Sequence, residues 1–189
     1  MAIPTENNYI EWVLLNIKEY FRRLGYRVLT YSIGHVKERL CPVDRVLVVG
    51  NKIVGLQFKR PLTEASHPRF NITLHQQEMI GQARWIFYCL PDFTDLRLQE
   101  VALYHCRFVP AEEIKNGEVE RYFRWGPFAQ GLVECWIGLE ITEMRVEDLF
   151  RQIAENPMEV YISLNKKAEE VFLLSRIFRP PLELEREPA

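Results

Sequence analysis

The 189-residue chain contains no apolar run approaching the ~18 residues that a membrane span requires. Its N-terminus has no basic stretch followed by an apolar segment, so it does not read as a secretory leader. Without span or leader, the chain is expected to be cytoplasmic, with no membrane partner. No segment is compositionally biased and no internal repeat is visible; with 48% hydrophobic and 12% aromatic residues, disordered, collagenous and low-complexity classes are excluded. The four cysteines, Cys41, Cys89, Cys106 and Cys135, form no Cys-x-x-Cys pair, which removes the usual structural zinc signature. Cys89 and Cys106 lie in apolar runs and read as plain buried thiols. The four histidines are equally scattered, and no nucleophile-plus-histidine motif surrounds them.

Net charge is also nearly absent, at −2 from 24 Lys+Arg against 26 Asp+Glu. That value is a cancellation. Residues 1–90 carry 12 basic against 7 acidic side chains, an excess of +5, while residues 91–189 carry 12 against 19, an excess of −7. Such asymmetry fits a charged partner engaged by the first half, and equally fits ordinary variation in surface charge.

Residues 5–24 read as an amphipathic helix with Thr5 as N-cap, Ile10, Val13, Leu14, Ile17, Phe21 and Leu24 on one stripe, and Gly25 as a stop. A β-rich run follows from Tyr26 to Ile33. Two apolar runs, Val43–Val49 and Lys52–Phe58, are separated by Gly50-Asn51, a dipeptide that tolerates the positive φ of a tight hairpin turn. After a polar loop, a helix is expected over 73–84 and a buried strand over Trp85–Leu90. Further on, Val101–Val109, Leu132–Ile137 and Val160–Leu164 read as strands, 146–154 and 166–178 as helices, and 180–189 as a loose tail.

Within the hairpin, Asp44, Gln57 and Lys59 are polar residues set in apolar runs, where burial costs free energy unless the groups are paired or bind something. If Val49 faces Lys52, then Asp44 faces Gln57, with Cβ atoms roughly 4.5–5.5 Å apart on one face. Alternation places Lys59 on the same side as Gln57. A carboxylate and an amide oxygen side by side form part of a shell for a hard divalent cation, and a neighbouring lysine can orient water and offset charge on a phosphate. The structural alternative is a buried ion pair satisfied by an amide.

The order of helix, Pro42-Val43-Asp44, hairpin, Gln57-Phe58-Lys59, helix and strand resembles the PD-(D/E)xK nuclease superfamily. The resemblance covers roughly residues 5–91. It implies an α/β fold with a restriction endonuclease-like core (helix, three strands, helix, strand) and a mixed sheet over 1–91; residues 92–189, which it does not cover, read as a C-terminal α+β extension of unknown role packed on that core. It further implies a Mg²⁺- or Mn²⁺-dependent nuclease acting on DNA, RNA being left open, in which Asp44, Gln57 and the Phe58 carbonyl bind metal and Lys59 acts on the attacking water. Glutamine at 57 replaces the commoner glutamate and removes one negative charge.

Many members of the superfamily also place a catalytic glutamate on the first helix, aimed at the metal. With Ile10 at 0°, the apolar stripe centres near about 330°, Glu6 falls at about 320° and Glu11 at about 100°, so phase favours Glu6 as the inward carboxylate. A dipole-stabilising role in the first turn competes with that. Lys37, Arg60, Arg69 and Arg84 are candidate phosphate contacts, His67 and His75 candidate proton carriers, and Gln76 and Gln77 candidate groove contacts; for each, an ordinary surface role is the alternative. Tyr122, Phe123, Trp125 and Phe128 read as a small core for the second half, or as base-stacking rings. Two other functions compete with catalysis: an inactive nuclease-fold subunit for nucleic-acid binding or assembly, and an interaction subunit whose acidic half binds a basic partner. A homodimer or larger complex is expected.

Overall fold

The computed structural model describes residues 3–33, 41–63, 68–81, 83–115, 118–134, 136–141, 145–178 and 185–186. Helix α1 spans Glu6–Arg23. Thr5 caps its first turn through a reciprocal capping box with Asn8. Its end is a Schellman closure, with Tyr26 N–H donating to Phe21 O at 2.9 Å and Gly25 N–H to Arg22 O at 3.1 Å, made possible by Gly25 at φ 80°. Of the stripe read from the sequence, Ile10, Val13, Ile17 and Phe21 form the buried face, joined by Tyr9, while Leu14 is half-buried and Leu24, at the C-cap, is exposed.

Three strands follow, β1 (Val28–Ser32), β2 (Arg45–Val49) and β3 (Lys52–Phe58), then α2 (Leu74–Gly81) and β4 (Ile86–Pro91). From Glu6 to Pro91 the element order is therefore the helix, three strands, helix and strand expected from the sequence. The β2–β3 hairpin turns at Gly50, φ 60°, with Val49 opposite Lys52. The remaining elements are β5 (Cys106–Pro110), β6 (Ile114–Lys115), β7 (Glu118–Val119), β8 (Arg121–Tyr122), α3 (Trp125–Val133), β9 (Leu139–Glu140), α4 (Val146–Glu155), α5 (Pro157–Phe178) and β10 (Glu185–Arg186).

The central sheet runs β1-β2-β3-β4-β5, with β9 added to the start of β3. It is mixed: β3 and β4 are parallel and the other pairs antiparallel. Every residue of β3 and β4 is buried, as expected of strands covered on both faces. One face packs on α1 and α3 through Phe21, Phe58, Phe108, Trp125 and Phe128, with Phe108 and Phe128 stacked at 4.2 Å. The other packs on α2, α4 and α5 through Ile80, Trp85, Tyr88, Leu149, Ile153 and Val160. Strands β5 and β9, from beyond residue 91, lie in the same sheet as β3 and β4, and both apolar layers draw on both halves of the chain. No helix among the described residues is long and apolar enough to cross a membrane.

Several expectations for the second half are corrected. Leu132–Ile137 is no strand: Leu132 and Val133 close α3, and Trp136 and Ile137 turn back to donate to Gly131 O. Val160–Leu164 lies inside α5, which starts with Pro157 in its first turn, where a missing N–H is harmless. The Val101–Val109 run divides into a 3-10 stretch through His105 and then β5. Of the tail, Glu185 and Arg186 pair with Tyr122 and Arg121, and residues 180–184 and 187–189 lie outside the described residues. The rings of Tyr122, Phe123, Trp125 and Phe128 are all buried; the last three share a core with α1, so they serve the whole sheet and offer no face to a base.

Gly138, at φ 78°, closes β9 onto β3, and a Cβ there would lie 2.7 Å from Ile53 O. Gly138→Ala is expected to destabilise the fold by roughly 2–4 kcal/mol, from the left-handed backbone penalty plus overpacking against a main-chain atom. A lowered urea midpoint with unchanged slope is the expected readout.

Candidate functional site

Strand β2 begins with an irregularity. Asp44 N–H donates to Leu56 O at 3.1 Å, yet Arg45 is the residue in register with Leu56. Two residues of β2 thus oppose one of β3, the arrangement of a β-bulge, which re-aims the side chain at the bulge. The Asp44 side chain takes over where the backbone ladder stops: its Oδ2 accepts from Phe58 N–H at 2.6 Å and from Gln57 Nε2 at 2.7 Å. Gln57 Nε2 also lies 3.5 Å from Phe58 O. The amide nitrogen therefore sits between a carboxylate oxygen and a main-chain carbonyl oxygen. Asp44 and Gln57 are 6% and 3% exposed, so these bonds are made in a largely desolvated place, where each counts for more than in water.

Lys59 continues β3, its N–H donating to Cys89 O at 3.3 Å, and is half-buried. Strand alternation puts its side chain on the side of Gln57. Glu6, in the first turn of α1, is half-buried and its Oε2 accepts from Arg60 N–H at 3.3 Å; Glu11 is exposed. The first helix thus brings a carboxylate to the exit of β3. Tyr9, one turn on, donates to Phe93 O at 2.6 Å, and burial pushes its phenol up to about 12.

The structure brings some of the other sequence candidates to this edge and leaves others away from it. Arg60 is exposed beside Glu6. Arg69 is exposed on a loop that folds back on the β3 exit, where its carbonyl accepts from Leu62 N–H at 2.8 Å and Phe70 bridges Pro61. Lys37 and His67 lie outside the described residues. His75 is exposed on α2. Gln77 is turned inward, its Nε2 donating to Ile114 O, so it is a packing contact and not a groove contact.

Sequence reasoning missed a second polar cluster on the same sheet face. Arg107 Nε donates to Asp92 Oδ2 at 3.5 Å and Arg124 Nη1 donates to the same oxygen at 2.6 Å. The two guanidinium groups each lie 5.1 Å from the centre of the Tyr122 ring. Arg107 is only 6% exposed. The signal was available, because Arg107 interrupts an apolar run just as Asp44 does. Tyr88, in register with Gln57, was also passed over; its buried hydroxyl has no hydrogen-bond partner among the described residues, and desolvation raises its pKa well above the usual tyrosine range.

Among the described residues no three His, Cys, Asp or Glu side chains cluster as a metal ion would need. Burial pushes the Cys41 thiol up to about 12 and holds Cys106 well above the usual thiol range, so these thiols are poor ligands and poor nucleophiles. Any cation at the Asp44 edge would need amide and carbonyl oxygens to complete its shell. Comparison with protein-family models, curated proteins and solved structures gave no match.

Because Asp44 stands in for a backbone acceptor, Asp44→Ala is expected to strand the buried Phe58 N–H and cost about 2–4 kcal/mol. Asp44→Asn keeps one acceptor oxygen and is expected to cost about 1 kcal/mol. Urea unfolding of both variants checks the order.

Proposed function

We propose that this chain is a divalent-metal-dependent nuclease that hydrolyses phosphodiester bonds in DNA, built on a restriction endonuclease-like core, with Asp44, Gln57 and Lys59 at its centre. The observation that carries this reading is the position of the Gln57 amide, with its nitrogen between Asp44 Oδ2 and Phe58 O. With the amide turned over, Gln57 Oε1 would join Asp44 Oδ2 and the Phe58 carbonyl as three oxygen donors of the type Mg²⁺ or Mn²⁺ accepts. The donor chemistry therefore fits such a cation, and Asp44, Gln57 and the Phe58 carbonyl would hold it.

A cation bound there supplies Lewis acidity toward the phosphodiester and activation of the attacking water. The protein's own groups do the rest. Lys59, an ammonium with three donors and no acceptor, orients water and offsets phosphate charge; it does not take the proton. Glu6 fixes the β3 exit through Arg60 N–H, which sets where Lys59 and Arg60 present their charges. Arg60 and Arg69, exposed at that edge, contact the DNA backbone.

A second reading has its own observation. The Asp44 carboxylate already accepts two short hydrogen bonds, so the pair is satisfied as it stands. This favours a catalytically inactive nuclease-fold subunit that binds nucleic acid or an assembly partner.

Incubating the wild type, Asp44→Ala and Lys59→Ala with plasmid, linear and single-stranded DNA, in Mg²⁺, Mn²⁺ or chelator, separates the two. Metal-dependent cleavage that falls by at least ~100-fold in Lys59→Ala is the expected result. DNA binding without cleavage under any condition supports the inactive subunit. Gln57→Glu gives a readout that needs no turnover. Without metal, a second carboxylate beside Asp44 is expected to lower the melting temperature by like-charge repulsion. Millimolar Mg²⁺ is expected to raise it more in the variant than in the wild type.

A further inference from the structure

Strand register carries the candidate site further across the sheet than its three residues. Phe58 pairs with Cys89, and Lys59 N–H continues that ladder to Cys89 O, which sets Lys59 beside Leu90. Leu90 pairs with Arg107. Phe108 and Phe123 exchange both backbone hydrogen bonds at 2.9 Å, which sets Arg107 opposite Arg124. Phe58, Cys89, Phe108 and Phe123 all belong to the layer under α1 and α3. Their neighbours Lys59, Leu90, Arg107 and Arg124 therefore form one row on the opposite face, and Leu90 is buried in that layer.

Two features distinguish the far end of this row from scattered surface arginines. Arg22, Arg23 and Arg97 pair with carboxylates a few residues away on the same exposed segment. Arg124 instead is held at 2.6 Å by Asp92, a side chain only 12% exposed, from 32 residues away. It shares the Tyr122 ring with the buried Arg107. Its own side chain remains 32% exposed, so a partly exposed arginine is held in place by a buried support. A pre-ordered arginine loses little entropy on meeting an anion, and its planar fork matches phosphate.

We propose that Arg124 is a second phosphate contact for the DNA strand bound at Lys59, with Asp92, Arg107 and Tyr122 as positioning residues. The proposal rests on the nucleic-acid reading above. Three strand spacings separate the backbones of Lys59 and Arg124, about 14 Å, which is about four nucleotides of B-form rise along one strand. The acidic second half of the chain thus contributes a cation to the same edge as the basic first half.

The test is fluorescence anisotropy with a labelled oligonucleotide of about 20 nucleotides, single- and double-stranded, in chelator so that no cleavage occurs. Arg124→Ala is expected to weaken binding about 5- to 10-fold and to reduce the slope of log K against log salt by nearly 1, while Arg124→Lys restores most of the slope. A purely structural role would lower the melting temperature and leave the salt slope unchanged. Arg23→Ala, on the far end of α1, serves as the control. Unchanged affinity and slope in Arg124→Ala overturns the proposal, as does a wild type that binds neither oligonucleotide. If Arg124→Ala fails to fold, the slope of Arg124→Gln decides by the same criterion. A wild type that binds with the expected Arg124 dependence but never cleaves retires the nuclease reading and leaves this one standing.

Discussion

Phe58 N–H is bonded by a carboxylate where a strand would normally bond it with a carbonyl. Much of the site's geometry depends on that exchange. A backbone partner would have kept β2 paired with β3 to its end and closed the sheet over Gln57. With Asp44 as the acceptor, the bulge at Asp44 and Arg45 ends regular pairing there while no buried donor is lost. The same oxygen fixes the Gln57 amide. One side chain thereby sets where the strand pairing stops and how the Gln57 amide is held.

The sheet behind Asp44 is packed on both faces. On one side α1 and α3 press on the sheet through rings that interlock, Tyr20 and Phe21 against Trp125, and Phe108 against Phe128. On the other, α2, α4 and α5 cover β3 and β4. The N-terminus of α1 is tied to the edge twice, by Glu6 to Arg60 N–H and by Tyr9 to Phe93 O. The exits of β3 and β4 are thus held to one helix, and Lys59 and Asp92 follow from those exits. Splitting the chain into a basic and an acidic half describes its composition, but the folded edge draws on both halves, with Lys59 from one and Arg124 from the other.

The first ninety residues were legible because their signals are local. Gly50-Asn51 pins the hairpin, and counting outward from Val49 opposite Lys52 gives its register. Thr5 and Gly25 bracket α1 by chemistry that acts within a few residues. Beyond Pro91 the signals become non-local. A five-residue apolar run such as Val160–Leu164 fits a strand or one and a half turns of helix, and only packing on Trp85, whose indole donates to Asn165 at 2.8 Å, shows which. Gly126, Pro127 and Gly131 weaken the helical signal of α3, although Pro127 stands in its first turn, where proline is harmless. Arg107 was missed for a different reason: a lone charge in an apolar run gains meaning only when Asp92 and Arg124 arrive from elsewhere in the chain.

Glutamine at position 57 has a physical logic that bears on both readings. Two carboxylates 2.7 Å apart and almost out of water could not both stay ionised without a cation between them. A glutamate there would make the site depend on metal for its stability. The amide removes that dependence, because its –NH₂ end donates to Asp44 in the absence of a cation and its oxygen end is available by a half-turn. The cost is one unit of negative charge and with it cation affinity, since a dipole replaces an ion. In a nuclease, that trade gives a site that stays ordered when empty and binds metal weakly until a phosphate adds its own oxygens. In an inactive relative, the same trade leaves a satisfied polar plug at the sheet edge. The two differ in whether the amide ever turns over, and that is decided by how much a bound phosphate and the cations of Lys59 and Arg124 change the field at Asp44.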